Sequence, residues 1–232
     1  MAKSILLIGL GEFGQNVAKK LYDMNADVMA IDHNEEKVNA VLPYVTDARI
    51  GDSTSRDFLV TLGIKNYDAC IIAIGANFQN SLETCDLVNE LSDGKLTIIA
   101  RANTDIHAKF LGKHGATHVV HPEEQMAKWT AIRSTHDHVL DYIGIDEKHL
   151  IIEVEVPAKW DNKTLTEIDA RNKYGVNILG IKEKADGKES LNTDIGSNTV
   201  LKEKQVILVL GHIKSLDKLF KVKDAVEDYK KL

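Results

Sequence analysis

Gly9-Leu10-Gly11-Glu12-Phe13-Gly14 is the stretch of this chain whose residue types and spacing point most firmly to a chemistry. Three glycines so spaced suit the turn from a strand into a helix. The first allows the tight turn, the second lets backbone approach a pyrophosphate, and the third lets the helix pack closely on the sheet. The amides at the helix start, with their partial positive charge, then face the phosphates. Asp32 closes the next strand-like run, 18 residues after Gly14. A carboxylate there accepts hydrogen bonds from ribose hydroxyls and repels a 2′-phosphate. The motif predicts an adenine-nucleotide site, with NAD(H) favoured over NADP(H).

Further candidates sit at the ends of later strand-like runs. Asp52 and Ser53 end the third, where an adenine amino group would lie; Ile74 and Gly75 end the fourth; Arg101 ends the fifth, within reach of a phosphate. Each alone serves equally well as a helix cap, but their shared position favours a joint ligand role. Glu12 pulls the other way. A carboxylate about 6 Å from a phosphate charge costs about 3 kcal/mol at an effective dielectric of about 20. That disfavours a triphosphate over this turn unless a cation bridges the two. A first-turn glutamate is also what a helix dipole favours, and the sequence leaves both readings open. Among the nine histidines, only His121-Pro122-Glu123 forms a suggestive cluster. Glu123 there is either a helix-start acid or an oxygen ligand for a cation. The sequence contains no nucleophile elbow, P-loop, CxxC or paired-carboxylate spacing, so no catalytic residue is expected.

These residues need a scaffold. In 232 residues, 44% hydrophobic and 28% charged, there is room for one or two ordinary globular domains. No apolar run approaches the length of a membrane helix, and the N-terminus lacks the layout of a signal peptide. A net charge of −6 argues against a broad nucleic-acid surface. Cys70 and Cys85 are too few for a disulfide framework and are expected to be reduced thiols, partly buried.

Short apolar runs at 4–9, 27–32, 47–51, 68–75, 96–101 and 117–121 alternate with amphipathic stretches such as Phe13, Val17, Leu21 and Met24. Runs of this kind suit parallel strands buried on both faces. The expected fold class is α/β, a Rossmann-type doubly wound parallel sheet followed by a small α+β domain. Residues 123–143 carry a helical stripe of Met126, Trp129, Ile132, His136, Val139 and Ile143, suited to core packing or to a crossover or dimerisation helix. Domains are expected at 1–143, with that helix at its end, and at 149–232, with a linker at 143–148. In the second, Leu150, Ile152, Val154 and Val156 alternate with polar residues. Further strands are expected at 177–183, 197–201 and 205–210, helices at 165–172 and 215–222, and a hairpin turn at Asp186-Gly187. The charged tail 221–231 is expected to be a solvated helix end.

The glycine motif, Asp32, Gly51-Asp52-Ser53-Thr54, Ala73-Ile74-Gly75-Ala76-Asn77, Arg101-Ala102 and His121-Pro122-Glu123 together resemble the N-terminal domain of RCK (TrkA-N/TrkA-C) proteins. Leu165-Thr166-Glu167-Ile168-Asp169, Arg171-Asn172-Lys173-Tyr174-Gly175, Asn177-Ile178 and Val206-Ile207-Leu208-Val209-Leu210-Gly211 resemble the companion C-terminal module. The resemblance implies a cytosolic regulatory subunit of a Trk/Ktr-type potassium uptake system. It would bind NAD(H), ADP or ATP, and would lie at the inner face of the membrane through an integral-membrane channel subunit. It would form dimers that assemble into a ring, octameric by resemblance, and would not bind nucleic acid. Carried over by position, Gly9, Gly11, Gly14, Asp32, Asp52, Ser53, Gly75 and Arg101 are nucleotide contacts. Ile74, Glu12 and Phe13 belong to the same motifs, and Glu123 is a cation ligand between subunits. Some Ktr-type members bind cyclic di-AMP at a dimer cleft, which maps here to Ile168, Asp169, Arg171, Asn177 and Ile178. One departure stands out: such members commonly have Arg where this chain has Glu12, which shifts weight from ATP towards NAD(H) or ADP.

An NAD-dependent dehydrogenase is the alternative. It would need an acid or base near the nicotinamide, and the second domain offers only His149 and His212. A nucleotide-binding repressor would need a helix-turn-helix and a basic face.

Overall fold

Burial on both faces explains the apolar runs of the first unit. In strand β1 (Ser4–Ile8), Leu6 and Ile8 point into one core with Cys70, Ile72 and Ile98, while Ile5 and Leu7 point into another with Val28 and Ala30. The computed structural model describes residues 2–135, 138–185 and 188–221. Its contacts divide the chain into two units, Met1–Glu124 and Gln125–Leu232.

In the first unit β1 is followed by α1 (Glu12–Asp23), β2 (Asp27–Asp32), α2 (Glu35–Val41), β3 (Asp47–Ile50), α3 (Arg56–Thr61) and β4 (Ala69–Ile72). Then come α4 (Phe78–Leu91), β5 (Thr97–Arg101), α5 (Asp105–Lys113), β6 (His118–Val120) and the start of α6 (Pro122–Thr135). The sheet is parallel throughout, in the order β3-β2-β1-β4-β5-β6. This is the doubly wound order, and its switch point lies between β1 and β4. Phe13, Val17 and Leu21 of α1 pack on the sheet as their spacing predicts. Met24 lies just past the helix and is exposed.

In the second unit the described strands are β7 (Val139–Gly144), β8 (His149–Glu155), β9 (Lys163–Thr164), β10 (Val176–Ala185), β11 (Lys188–Asn192), β12 (Val200–Leu201) and β13 (Val206–His212). They form an antiparallel sheet, β11-β10-β13-β8-β7, and a two-stranded β12-β9. Helices α7 (Leu165–Ile168), α8 (Ala170–Tyr174) and α9 (Ile213–Phe220) complete it. Leu150, Ile152, Val154, Ile207 and Val209 alternate into a core around Trp160. Among the described residues, no helix is long and apolar enough to cross a membrane.

Several expectations are corrected. The helix expected to run to Ile143 ends at Thr135. There the hydroxyls of Thr130, Ser134 and Thr135 donate back to carbonyls four residues earlier, a pattern that weakens helices. Val139 and Ile143 instead lie on β7, and His136 falls outside the described residues. Of the expected linker at 143–148, Ile143 and Gly144 belong to β7 and 145–148 form the turn to β8. The expected helix 165–172 breaks at Asp169, whose φ of 47° ends α7. The Asp186-Gly187 turn and the tail from 222 onward lie outside the described residues. Both cysteines are free and buried. Burial pushes the thiols up, Cys85 to about 11 and Cys70 further.

Candidate functional site

The carboxyl ends of β1, β2, β4 and β5 enclose a crevice of about 430 Å³. Its floor is the glycine turn. Gly9 takes φ 93°, and a Cβ there would meet the backbone of Ala73 and Ile74 at 3.0 Å. Gly14 is held more tightly still, because a Cβ would sit 2.0 Å from the Gly9 carbonyl oxygen. Gly11 differs: nothing of the protein lies within 4 Å of where its Cβ would be. Packing therefore requires Gly9 and Gly14, whereas the space at Gly11 is open to a ligand.

Helix ends support the same reading. Asn34, Ser55, Asn77 and Thr104 cap α2, α3, α4 and α5 with their side chains. At α1 the cap position is Gly11, which offers no side chain. The first-turn amides of α1 are left for an outside acceptor, and the dipole favours an anion there.

Asp32 is buried beside this turn. Its Oδ2 accepts from the Leu10 amide at 2.7 Å and its Oδ1 from the Asn34 amide at 2.9 Å. A carboxylate has about four lone-pair sites, so capacity remains for ribose hydroxyls. Asp52 accepts from the amide and the hydroxyl of Thr54, and these bonds hold its carboxyl below the ordinary carboxylate range. Ser53 is turned inward, its hydroxyl 2.8 Å from that of Thr84 on α4.

Arg101 closes the far side. Its guanidinium lies 2.6 Å from where a Cβ on Gly75 would be, so a side chain at that position would make the guanidinium shift. It also faces the Phe13 ring at 5.7 Å and pairs with Glu123. Its Nε is buried and has no hydrogen-bond partner. A cation with one donor unspent, at the rim of an uncapped helix start, suits a phosphate oxygen.

Of the sequence-derived candidates, Gly9, Gly11, Asp32, Asp52, Ser53, Ile74, Gly75 and Arg101 line the crevice. Gly14 is buried beneath it, Phe13 contributes its ring to Arg101, and Glu12 is exposed on the first turn of α1. Sequence reasoning missed His33, Lys37 and Asn80 and gave Asn77 no contact of its own within the motif that carries the resemblance; all four line the crevice. Asn77 carried a signal as the cap of α4, while Lys37 shows its position only once α2 is folded.

The second set is not gathered in the same way. Ile168 is buried in the core, Asp169 accepts a hydrogen bond from the Asn172 side chain, and Arg171 and Asn177 are exposed. Ile178 packs partly against the core.

Two family models match this architecture in turn, the TrkA-N domain over residues 5–122 and the TrkA-C domain over residues 150–223. The chain belongs to the TrkA-N/TrkA-C family. Ktr system potassium uptake protein C of Bacillus subtilis is 38% identical over 95% of this chain and 97% of its own length. Ktr system potassium uptake protein A of the same organism is 36% identical over 92% and 94%. Both relatives are potassium uptake proteins. Among solved structures, the GsuK channel bound to NAD shares the fold with a TM-score of 0.66 at 21% identity. That match covers 94% of this TrkA-family chain and 39% of the GsuK chain.

Proposed function

We propose that this chain is a non-enzymatic, nucleotide-sensing regulatory subunit of a Ktr-type potassium uptake system. The observation that carries the reading is the combination at one crevice of an uncapped helix start, a buried acid with spare acceptor capacity and an arginine with a spare donor. These meet the phosphates and ribose of an adenine nucleotide, and the Ktr relatives supply the potassium context. NAD(H) and ADP fit better than ATP, because Glu12 adds negative charge at the phosphate end. The GsuK structure with NAD supports this choice.

In this reading the subunit is cytoplasmic. It joins a membrane-embedded potassium channel subunit, assembles with copies of itself, and passes nucleotide state to the pore. Glu123 is a cation ligand at a subunit interface, released for that role when Arg101 turns to a phosphate. Cyclic di-AMP binds where two copies bring Arg171, Asn177 and Ile178 together, since a two-fold cleft presents each residue twice. The test is growth on limiting potassium of a bacterium whose only potassium importer is a Ktr-type membrane subunit. Growth should require this chain and should fail with Asp32→Ala. Growth indifferent to the chain would overturn the proposal.

A further inference from the structure

A second group of ligating side chains lies outside the nucleotide crevice, where β6 passes into α6. His121 follows β6, Glu124 stands in the first turn of α6, and Asp105 opens α5. One ligating atom from each lies within 4.8 Å of the other two. His121 Nδ1 is 3.8 Å from Glu124 Oε2. The His121 side chain is only 14% exposed, so packing fixes its ring, while the two carboxylates are exposed and free to swing inward. His121 and Glu124 border a hollow of about 250 Å³ that Arg101, Ala102, Asn103 and Glu123 also line.

We propose that Asp105, His121 and Glu124 bind a divalent first-row transition metal, with Zn²⁺ preferred. Two carboxylates and a neutral imidazole offer two negative charges to a dication. Three protein ligands with positions left for water make a common zinc arrangement. Metal–ligand bonds of about 2.0–2.2 Å require the donors to contract from their present spacing, and the exposed carboxylates supply that movement. The nitrogen ligand favours zinc over magnesium or calcium, and three side chains fall short of the six to eight oxygens calcium takes. Helix-start preference explains an acid at the head of α5 or α6, but not a packed imidazole between them. Neither cysteine competes, since both are buried. Glu123 borders the same hollow but is not one of the three grouped ligands, being engaged by Arg101.

The experiment uses the full chain, untagged and stripped of metal, titrated with Zn²⁺ in competition with a chromophoric chelator. One Zn²⁺ per chain is expected. Asp105→Asn, His121→Asn and Glu124→Gln should each weaken binding about tenfold or more, with Asp57→Asn, an exposed first-turn acid of α3, unchanged; circular dichroism checks that each variant is folded. Independently of any variant, Co²⁺ bound to the wild-type chain should give the visible bands of a low-coordinate site, and the His121 ring resonances should shift. Binding that ignores all three substitutions, binding below one equivalent, or a preference for Mg²⁺ or Ca²⁺ would overturn the proposal. Loss of binding with Glu123→Gln alone would assign the metal to the interface glutamate instead.

Discussion

The two units treat their candidate residues differently. In the first, residues up to 92 positions apart in sequence, from Gly9 to Arg101, line one crevice within a single chain. In the second, Ile168 is buried while Arg171 and Asn177 lie exposed. Topology accounts for the contrast. Parallel strands all end on the same edge, so whatever follows each strand converges at the switch point. Antiparallel strands alternate their ends, and nothing in the connectivity gathers their termini. A site in such a unit must be completed in another way, and a second copy is the simplest.

The comparison is broken most forcefully at Gly14. A Cβ 2.0 Å from the Gly9 carbonyl has no room to relax. Gly14→Ala should therefore cost about 3 kcal/mol, the upper end for overpacking, with the loss confined to the first unit. Urea unfolding followed by hydrogen exchange should show the second unit's protection intact. Equal loss of protection in both units would show that they do not behave as separate cores.

Asp32→Ala comes next. It removes the acceptor for ribose and releases the Leu10 amide, so nucleotide affinity should fall by about 1–3 kcal/mol, the range for losing hydrogen bonds to a charged group. Calorimetry giving equal affinity to mutant and wild type would remove Asp32 from the site.

Arg171→Ala sharpens the other side of the comparison. If two copies build a cyclic di-AMP cleft, the loss should be about 1.5 kcal/mol in calorimetry on the full chain, with stability unchanged because Arg171 is exposed. Equal binding by both forms, or none by the wild type, would leave the second unit without that ligand.

Much of the first unit was legible because its signals are local. Gly9, Gly11 and Gly14 sit within six residues, and Asp32 lies one strand further on, so spacing alone placed them beside one another. The surroundings of individual glycines were less legible: the Arg101 guanidinium lies over Gly75, a contact between the segment after β4 and the end of β5 that no spacing reveals. Ser53 reads as a ligand at the end of β3, yet its hydroxyl faces Thr84, 31 positions away. β7 was hidden by coincidence. Val139 and Ile143 satisfy helical spacing from Ile132, yet on β7 Val139 is buried and Ile143 exposed, because the register shifts between Val139 and Asp141. Local hydroxyl-to-carbonyl bonds at the end of α6 and pairing with β8 decided between helix and strand.

Direct titration of NADH and of ADP into the full chain and into Gly11→Val tests the central claim most closely, because the space at Gly11 is free of protein atoms and its extended backbone accepts a side chain. The account predicts saturable binding by the wild type, at least a tenfold loss in Gly11→Val, and a stability cost of about 1 kcal/mol, the difference between glycine and valine as a helix cap. Nucleotide binding that Gly11→Val leaves unchanged, or no binding of either nucleotide by the wild-type chain, would contradict it.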